Sequence, residues 1–158
     1  DDRLIPDILR SFEEGKPVVI RNPKSTRPWQ HVLEPLSGYL ILAQKLYKDQ
    51  KKYAEGWNFG PNEKDVKPVD WILDKMILKW PDASWKLDQN SSPHEAGFLK
   101  LDISKAESRL GWKPVWELSY TLEKIIAWHK AWLNKEDMQA TCLTEIEEYM
   151  KDMNNENH

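Results

Sequence analysis

Apolar residues recur at three- and four-residue intervals in six stretches of the chain, and this spacing predicts six helices. The stretches are 4–14, a segment from 34 or 35 to 47, 68–80, 102–110, 118–133 and 137–151. Gly15 and Gly111 follow two of these stretches, at the position where glycine commonly ends a helix. The pattern is typical of a mostly helical protein.

Short apolar runs between the helical stretches predict a few strands, at 16–20, 56–61, 84–87 and 98–101. Helices with scattered short strands indicate an α+β fold. We expect residues 1–150 to form one domain. The polar, asparagine-rich residues 151–158 are predicted to be a disordered tail.

The stretch that starts at Glu34-Pro35 is the strongest helix prediction. Its apolar residues form a nearly continuous helical face: Leu36, Tyr39, Leu40, Leu42, Ala43, Leu46 and Tyr47. Glu34 stands at the predicted start, where a carboxylate can cap the first turn.

Charge and length restrict the class of protein. The 158 residues, 40% of them hydrophobic, are enough for one core. The 23 basic and 26 acidic residues are interleaved and leave a net charge of −3, which argues against nucleic-acid binding. No apolar run reaches the roughly 18 residues of a membrane helix. We therefore expect a soluble cytoplasmic protein, and the opening Asp-Asp-Arg suggests a fragment of a longer one.

Cysteine and histidine give no support for a metal centre. Cys142 is the one cysteine, so an internal disulfide is impossible and a reducing compartment is expected. The four histidines do not have the spacing of known zinc motifs. No metal site is predicted.

Nine tryptophans are more than a core of this size requires. Packing explains most of them if their N–H groups find partners, and an aromatic platform for carbohydrate is the alternative.

Arg27 is the first candidate for binding, because it lies between a predicted strand and the start of a long helix. A guanidinium there could anchor phosphate oxygens with paired donors, or it could form an ordinary surface ion pair. Arg3, Arg21, Asn58 and His94 lie in comparable loops or strand ends, and together they suit an anionic, hydroxyl-rich ligand. His94 and Glu95 could equally belong to a solvated loop.

No motif for catalysis or for binding a dinucleotide is found. The glycine-rich GxGxxG loop is absent. Two Tyr-x-x-x-Lys matches occur, Tyr47–Lys51 and Tyr120–Lys124, but this spacing is common on surface helices, so neither is assigned as catalytic.

The order of several short motifs resembles the C-terminal half of the extended short-chain dehydrogenase/reductase enzymes that act on sugar nucleotides. The motifs are Arg3-Leu-Ile-Pro6, Val18–Ile20, Arg27-Pro-Trp-Gln-His-Val-Leu-Glu34, Trp57-Asn-Phe-Gly60, and Asp102-Ile-Ser-Lys105 followed by Leu110-Gly-Trp-Lys-Pro114. Each is weak alone, but together they cover the chain to about residue 150.

The resemblance implies a substrate-binding part of a larger enzyme. A Rossmann domain upstream of residue 1 would bind NAD and supply the catalytic residues, none of which lies in this chain. Within the family, the sequence is most similar to lyases that dehydrate a CDP-linked glucose: NAD oxidises C4, water leaves across C5 and C6, and the hydride returns to C6. The complete enzyme would be a homodimer. Another epimerase, dehydratase or decarboxylase of the family, or a non-catalytic nucleotide- or glycan-binding module, is the alternative.

The resemblance also implies roles for individual residues. Arg3 and Arg27 would lie near the nucleotide phosphates, Leu4, Val18 and Ile20 near the base, and Asn58 in the nucleotide pocket. Many relatives have an arginine where this chain has Ser92-Pro-His-Glu95. The candidates to replace that arginine are His94, Glu95 and Arg21.

Overall fold

The computed structural model describes residues 3–88 and 97–155, and it confirms a mostly helical α+β fold. The helices are α1 (Leu4–Glu13), α2 (Leu33–Lys48), α3 (Gln50–Tyr53), α4 (Val69–Ile77), α5 (Ser104–Leu110), α6 (Leu118–Leu133) and α7 (Met138–Asn155). The strands are β1 (Val18–Ile20), β2 (Thr26–Arg27), β3 (Lys67–Pro68) and β4 (Trp85–Leu87), and Glu63–Asp65 forms one 3₁₀ turn.

The strands pair in two small sheets. β1 lies parallel to β4, with Val18 opposite Trp85, and β2 lies antiparallel to β3, with Arg27 opposite Lys67. A single bridge also joins Thr26 to Phe98. The backbone of Thr26 is therefore paired on both sides.

Several predicted boundaries are wrong. Residues 56–61 form no strand, and the Phe59 carbonyl is bonded instead by a side chain distant in sequence: Gln30 Nε2 donates to it at 2.9 Å. Of the strand predicted at 98–101, only the bridge at Phe98 forms. The predicted disordered tail is wrong for residues 151–155, which continue α7 to Asn155. Helix α3 was not expected from the sequence.

The main core joins α1, β1, α4 and α6. Helix α1 ends as predicted, with Gly15 in the left-handed conformation at φ 62°. The buried side chains of this core are Ile8, Leu9, Phe12, Val18, Ile20, Val69, Ile72, Leu73, Met76, Leu118, Leu122 and Ile126. Burial of this many apolar groups is the main force that holds the four elements together.

A second cluster packs α2 and α3 against α5. Its buried members are Tyr53, Phe59, Ile103, Ala106, Leu110 and Trp112. Gly38 permits the contact, because a Cβ at this position would lie 2.3 Å from the Phe59 ring. The ring of Phe59 in turn meets Trp112 edge-on, with centroids 5.0 Å apart.

The carboxylate of Glu34 links α2 to the turn before α6 and to α7. Glu34 is 1% exposed. Its Oε1 accepts the Trp116 N–H at 2.7 Å, and its Oε2 accepts the Val115 N–H at 3.0 Å and the Tyr149 hydroxyl at 2.6 Å. The prediction that Glu34 caps its own helix is therefore wrong: its acceptors serve distant parts of the chain.

His31 lies buried beside this network. Its Nδ1 accepts the Leu33 N–H at 3.3 Å, and its Nε2 lies 3.8 Å from Glu145. Burial, with a smaller contribution from the charge of Lys124, lowers the pKa of His31 to about 4. Burial also raises the pKa of Glu145. His31 is therefore neutral at pH 7.

The apolar face predicted for α2 is only partly covered. Leu42 and Leu46 pack against the second cluster, but Leu40 and Tyr47 are 69% and 95% exposed. Leu36 and Tyr39 are also exposed. Within residues 3–88 and 97–155, no helix is long and apolar enough to cross a membrane.

Replacing Glu34 by Gln should lower the free energy of unfolding by about 2 kcal/mol or more, because one acceptor oxygen becomes a donor that faces other donors. Urea denaturation measures this change. Glu123→Gln is the matched control, since Glu123 forms an exposed pair with Lys79 and should change stability by about 0.5 kcal/mol or less. Equal losses in the two variants would contradict the role assigned to the Glu34 carboxylate.

Acid should destabilise the protein through His31. Between about pH 6.5 and pH 4 the unfolded chain binds a proton at this histidine and the folded chain does not, so the free energy of unfolding falls as pH falls. The pKa of Glu145 is raised, so just above the ordinary pKa of a glutamate the folded chain holds a proton there that the unfolded chain releases. In that pH range Glu145 makes the free energy of unfolding rise as pH falls, which is opposite to the effect of His31.

The variant His31→Asn separates the contribution of His31 to this pH dependence from that of other groups. The Asn side chain does not titrate, and its amide oxygen can still accept the Leu33 N–H. From pH 7 to pH 5, the original protein should lose about 1–2 kcal/mol more than the variant in urea titrations. Parallel pH profiles would show that His31 does not cause the acid sensitivity.

Candidate functional site

A groove of about 570 Å³ lies between the start of α1, the end of β1 and the loop that leads into β2. It is lined by Arg3, Leu4, Ile5, Pro6, Asp7, Val18, Val19, Ile20, Arg21, Asn22, Ser25, Arg27, Trp29 and Val69. Three of these residues are arginines and one is an aspartate. The lining therefore combines positive charge with an apolar surface.

The start of α1 forms one side of the groove. Arg3 occupies the N-cap position, and residues 3–7 line the groove, so the positive end of the helix dipole lies at this side. Asp7 forms an ion pair with Arg10 at 3.0 Å, within its own helix. That pair offsets the single acidic charge of the lining.

Strand β1 forms the apolar part of the groove. Val18 and Ile20 are 3% and 6% exposed and belong to the main core, whereas Val19 between them is 53% exposed. This alternation is the period of two expected for a strand with one buried face. A ligand would meet a surface that the core holds rigid.

Backbone pairing fixes the position of Arg27. The Thr26 N–H donates to the Gly97 carbonyl at 3.0 Å, and the Leu99 N–H donates to the Thr26 carbonyl at 3.3 Å. Arg27 Nη1 donates to that same Thr26 carbonyl at 2.8 Å. The half-buried guanidinium is thus oriented by the sheet that carries it.

The neighbouring loop is also fixed by hydrogen bonds. The Val69 and Asp70 N–H groups at the start of α4 donate to the Ser25 and Pro23 carbonyls at 3.0 and 2.9 Å. Trp29 Nε1 donates to the Lys67 carbonyl at 3.2 Å. These bonds hold the loop side of the groove against α4 and β3.

Arg21 is an exposed cation of the groove. Its Nε lies 3.9 Å from the Asp88 carboxylate, and its side chain is 68% exposed. A pair this long and open is weak. Guanidinium groups of this kind suit an anion, because they offer paired donors. Among the described residues that line the groove there is no histidine, cysteine, lysine or tyrosine.

Six of the nine residues predicted from the sequence meet in this groove: Arg3, Leu4, Val18, Ile20, Arg21 and Arg27. Asn58 does not line it, and its Nδ2 donates instead to the Asp102 carbonyl at 3.2 Å. His94 and Glu95 lie outside the described residues.

The sequence reasoning missed several lining residues. Trp29 could have been found, because it lies two positions after Arg27 in the same motif. Asn22 and Ser25 are in the turn that follows β1. Val69 is distant in sequence and reaches the groove only because α4 starts beside Ser25.

Two other groups of polar residues are explained structurally. Tyr120 and Lys124, one of the Tyr-x-x-x-Lys pairs, both hydrogen-bond the Glu148 carboxylate and join α6 to α7. Among the described residues, no three His, Cys, Asp or Glu side chains are grouped so that they could hold a metal ion.

No known family profile matches the chain. Over 150 residues, however, it is 59% identical to the CDP-glucose 4,6-dehydratase of Salmonella typhimurium, a match that covers 94% of this chain. The chain is thus related to CDP-glucose 4,6-dehydratase. The matched region is the C-terminal portion of the dehydratase and spans 42% of its length. The resemblance inferred from the motifs is confirmed.

Two solved structures show the same fold. The UDP-glucuronic acid 4-epimerase of Bacillus cereus, solved with UDP-glucuronic acid and NAD, matches 82% of this chain and 40% of its own at a TM-score of 0.64 and 24% identity. The UDP-N-acetylglucosamine 4-epimerase of Bacillus cereus matches 82% of this chain and 44% of its own at a TM-score of 0.59 and 16% identity.

Proposed function

We propose that this chain is the nucleotide-sugar-binding portion of a CDP-glucose 4,6-dehydratase and that the groove binds the CDP part of the substrate. The 59% identity to the Salmonella dehydratase carries the proposal. The groove supports it, because three arginines and an apolar strand converge there.

The pyrophosphate would bind to Arg27, with Arg3 and Arg21 as further donors. Guanidinium groups match phosphate oxygens in pairs, and their donors form charge-assisted hydrogen bonds. Arg27 is the strongest of the three candidates, because backbone pairing at Thr26 already orients it and little freedom is lost on binding.

The cytosine base would lie against the apolar part of the groove. Leu4 and Ile5 at the start of α1 and Val18, Val19 and Ile20 of β1 line this space, and Val19 is the exposed side chain of the strand. A base has a large apolar face and polar edges, so a mostly apolar wall with a few polar groups suits it. Asn22 and Ser25 are the polar groups available in the turn beside the wall.

The chemical step would belong to a part of the enzyme outside these 158 residues. NAD bound there would take the hydride from C4 of the glucose and return it to C6 after the loss of water. The residues described here would bind and orient the nucleotide sugar. The complete enzyme is expected to act as a homodimer.

The exposed face of α2 would pack on that other part. Leu40 and Tyr47 are far more exposed than is usual for large apolar groups on one helix. The sequence predicts a nearly all-apolar face here, and the described chain covers only some of it. An adjoining domain would remove the remainder from water.

A second candidate function is another nucleotide-sugar enzyme of the same fold. The observation that favours it is the structural likeness to two epimerases of UDP-sugars. The two candidates differ in the base and in the reaction.

Arg27→Ala in the complete protein should weaken CDP binding by about 2 kcal/mol, which is roughly a 30-fold higher dissociation constant. Isothermal calorimetry measures this. Lys79→Ala is the control, because Lys79 is an exposed cation that pairs with Glu123, and neither residue lines the groove. An unchanged affinity of the Arg27 variant would refute the pyrophosphate role.

Titrating CDP, UDP and dTDP in the same way separates the two candidate functions. A preference for CDP supports the dehydratase assignment. Tighter binding of UDP or dTDP would favour an epimerase or a related enzyme, even if the Arg27 variant lost affinity as expected.

A further inference from the structure

Asn22 begins a tight turn that directly follows strand β1. The Ser25 N–H donates to the Asn22 carbonyl at 3.2 Å, which closes a four-residue turn with Pro23 at its second position. Proline is favoured there because its φ is already fixed near the value that the turn needs. Asparagine is favoured at the first position, where its side chain commonly accepts the backbone N–H two residues later. The ordinary role of the Asn22 amide would therefore be to close its own turn.

The Asn22 amide does not have this role here. Among residues 3–88 and 97–155, neither the Lys24 N–H nor any other group forms a hydrogen bond with the Asn22 side chain. Asn22 is half-buried and lines the groove. A polar group that is partly removed from water and makes no bond within the protein suits a ligand that supplies the missing partners.

The turn is held in place by helix α4. The Asp70 N–H donates to the Pro23 carbonyl at 2.9 Å, and the Val69 N–H donates to the Ser25 carbonyl at 3.0 Å. Ser25 itself is only 6% exposed. The Asn22 side chain is therefore attached to a backbone that is already fixed, so little freedom is lost when its amide bonds a ligand.

Asn22 borders the apolar part of the groove. It lies two residues after the end of β1, whose residues 18–20 also line the groove, and Arg27 lines the groove beyond the turn. With the base against β1 and the pyrophosphate at Arg27, the edge of the base is the part of the ligand next to Asn22.

The edge of cytosine matches a carboxamide. Cytosine carries an amino donor at N4 beside a ring acceptor at N3. Asparagine forms two hydrogen bonds with a neighbouring donor and acceptor of this kind, as it does with N6 and N7 of adenine. The amide is neutral, so it can bond the base without opposing the charge of the pyrophosphate.

We propose that Asn22 recognises the base of the substrate, with its Oδ1 accepting from the N4 amino group of cytosine and its Nδ2 donating to N3. The assignment rests on the binding of CDP proposed above, and it gives recognition of the base to one side chain. UDP alone does not test it, because an amide turned over by 180° can pair with O4 and N3–H of uracil.

A ligand that lacks only the 4-amino group tests the contact. The 5′-diphosphate of the 2-pyrimidinone ribonucleoside is CDP with hydrogen in place of that group. The ratio of its dissociation constant to that of CDP therefore measures the contribution of the amino group. In the complete protein, calorimetry should give a ratio of about 5 to 10. Asn22→Ala should bring this ratio to within about twofold of 1.

Asn22→Asp tests the orientation of the amide. Both carboxylate oxygens accept and neither donates, so the bond from N4 is kept and the bond to N3 is lost. The added negative charge should weaken the binding of both diphosphates, but the ratio should stay at about 5 to 10. A ratio near 1 in this variant as well would overturn the pairing of Oδ1 with N4.

Asn134→Ala is the matched control, because Asn134 is an exposed asparagine at the end of α6 and does not line the groove. It should leave the ratio unchanged. Circular dichroism verifies folding. If Asn22→Ala unfolds, Asn22→Ser replaces it, since serine is also favoured at the first position of a turn and its side chain is shorter.

A ratio that keeps its original value in the folded Asn22→Ala or Asn22→Ser variant refutes the inference. An equal loss of affinity for both ligands does so too, because it would assign the amide to the ribose or the pyrophosphate. A ratio near 1 in the original protein would also refute it, since the amino group would then have no partner.

Failure of this inference differs from failure of the proposed function. If Arg27→Ala loses affinity for CDP as expected and the Asn22 variants keep the ratio, the proposed function stands and the role of Asn22 is wrong. If the complete protein does not bind CDP, both are wrong.

Discussion

The buried carboxylate of Glu34 is the interaction on which the arrangement of this protein depends. A carboxylate removed from water is stable only when its oxygens are fully hydrogen-bonded. Here the donors come from two distant regions of the chain. Val115 and Trp116 are 81 and 82 positions from Glu34, and Tyr149 is 115 positions from it. Helix α2, the turn before α6 and helix α7 therefore have one relative placement in which Glu34 can be buried.

Hydrogen bonds also fix the positions of the residues that form the groove. The extended backbone at Thr26 is paired on both sides, so the neighbouring Arg27 is oriented by the sheet. The α4 N-terminus donates to carbonyls of the loop that carries Ser25. A binding surface made of backbone-fixed groups loses little entropy when a ligand arrives, and this suits recognition of a pyrophosphate.

Two helices, α2 and α7, expose large apolar residues. Helix α2 belongs to the second cluster through one face and leaves Leu40 and Tyr47 exposed on another. Helix α7 contacts the body through Glu148, Tyr149 and Asp152, and its Leu143, Ile146 and Met150 are exposed.

The sequence by itself determined six of the seven described α-helices, the fold class and the family likeness. Periodicity placed α1 and α6 almost to the residue, since apolar spacing and glycine at the helix end are local signals. Six groove residues were also predicted, because they belong to short motifs of consecutive residues that can be read from the sequence. Only the tertiary structure decided four other features. Glu34 bonds distant backbone, residues 56–61 form no strand, Val69 lines the groove, and α7 turns polar residues inward. Each depends on a partner far away in sequence, and such a partner is defined only once the chain has folded.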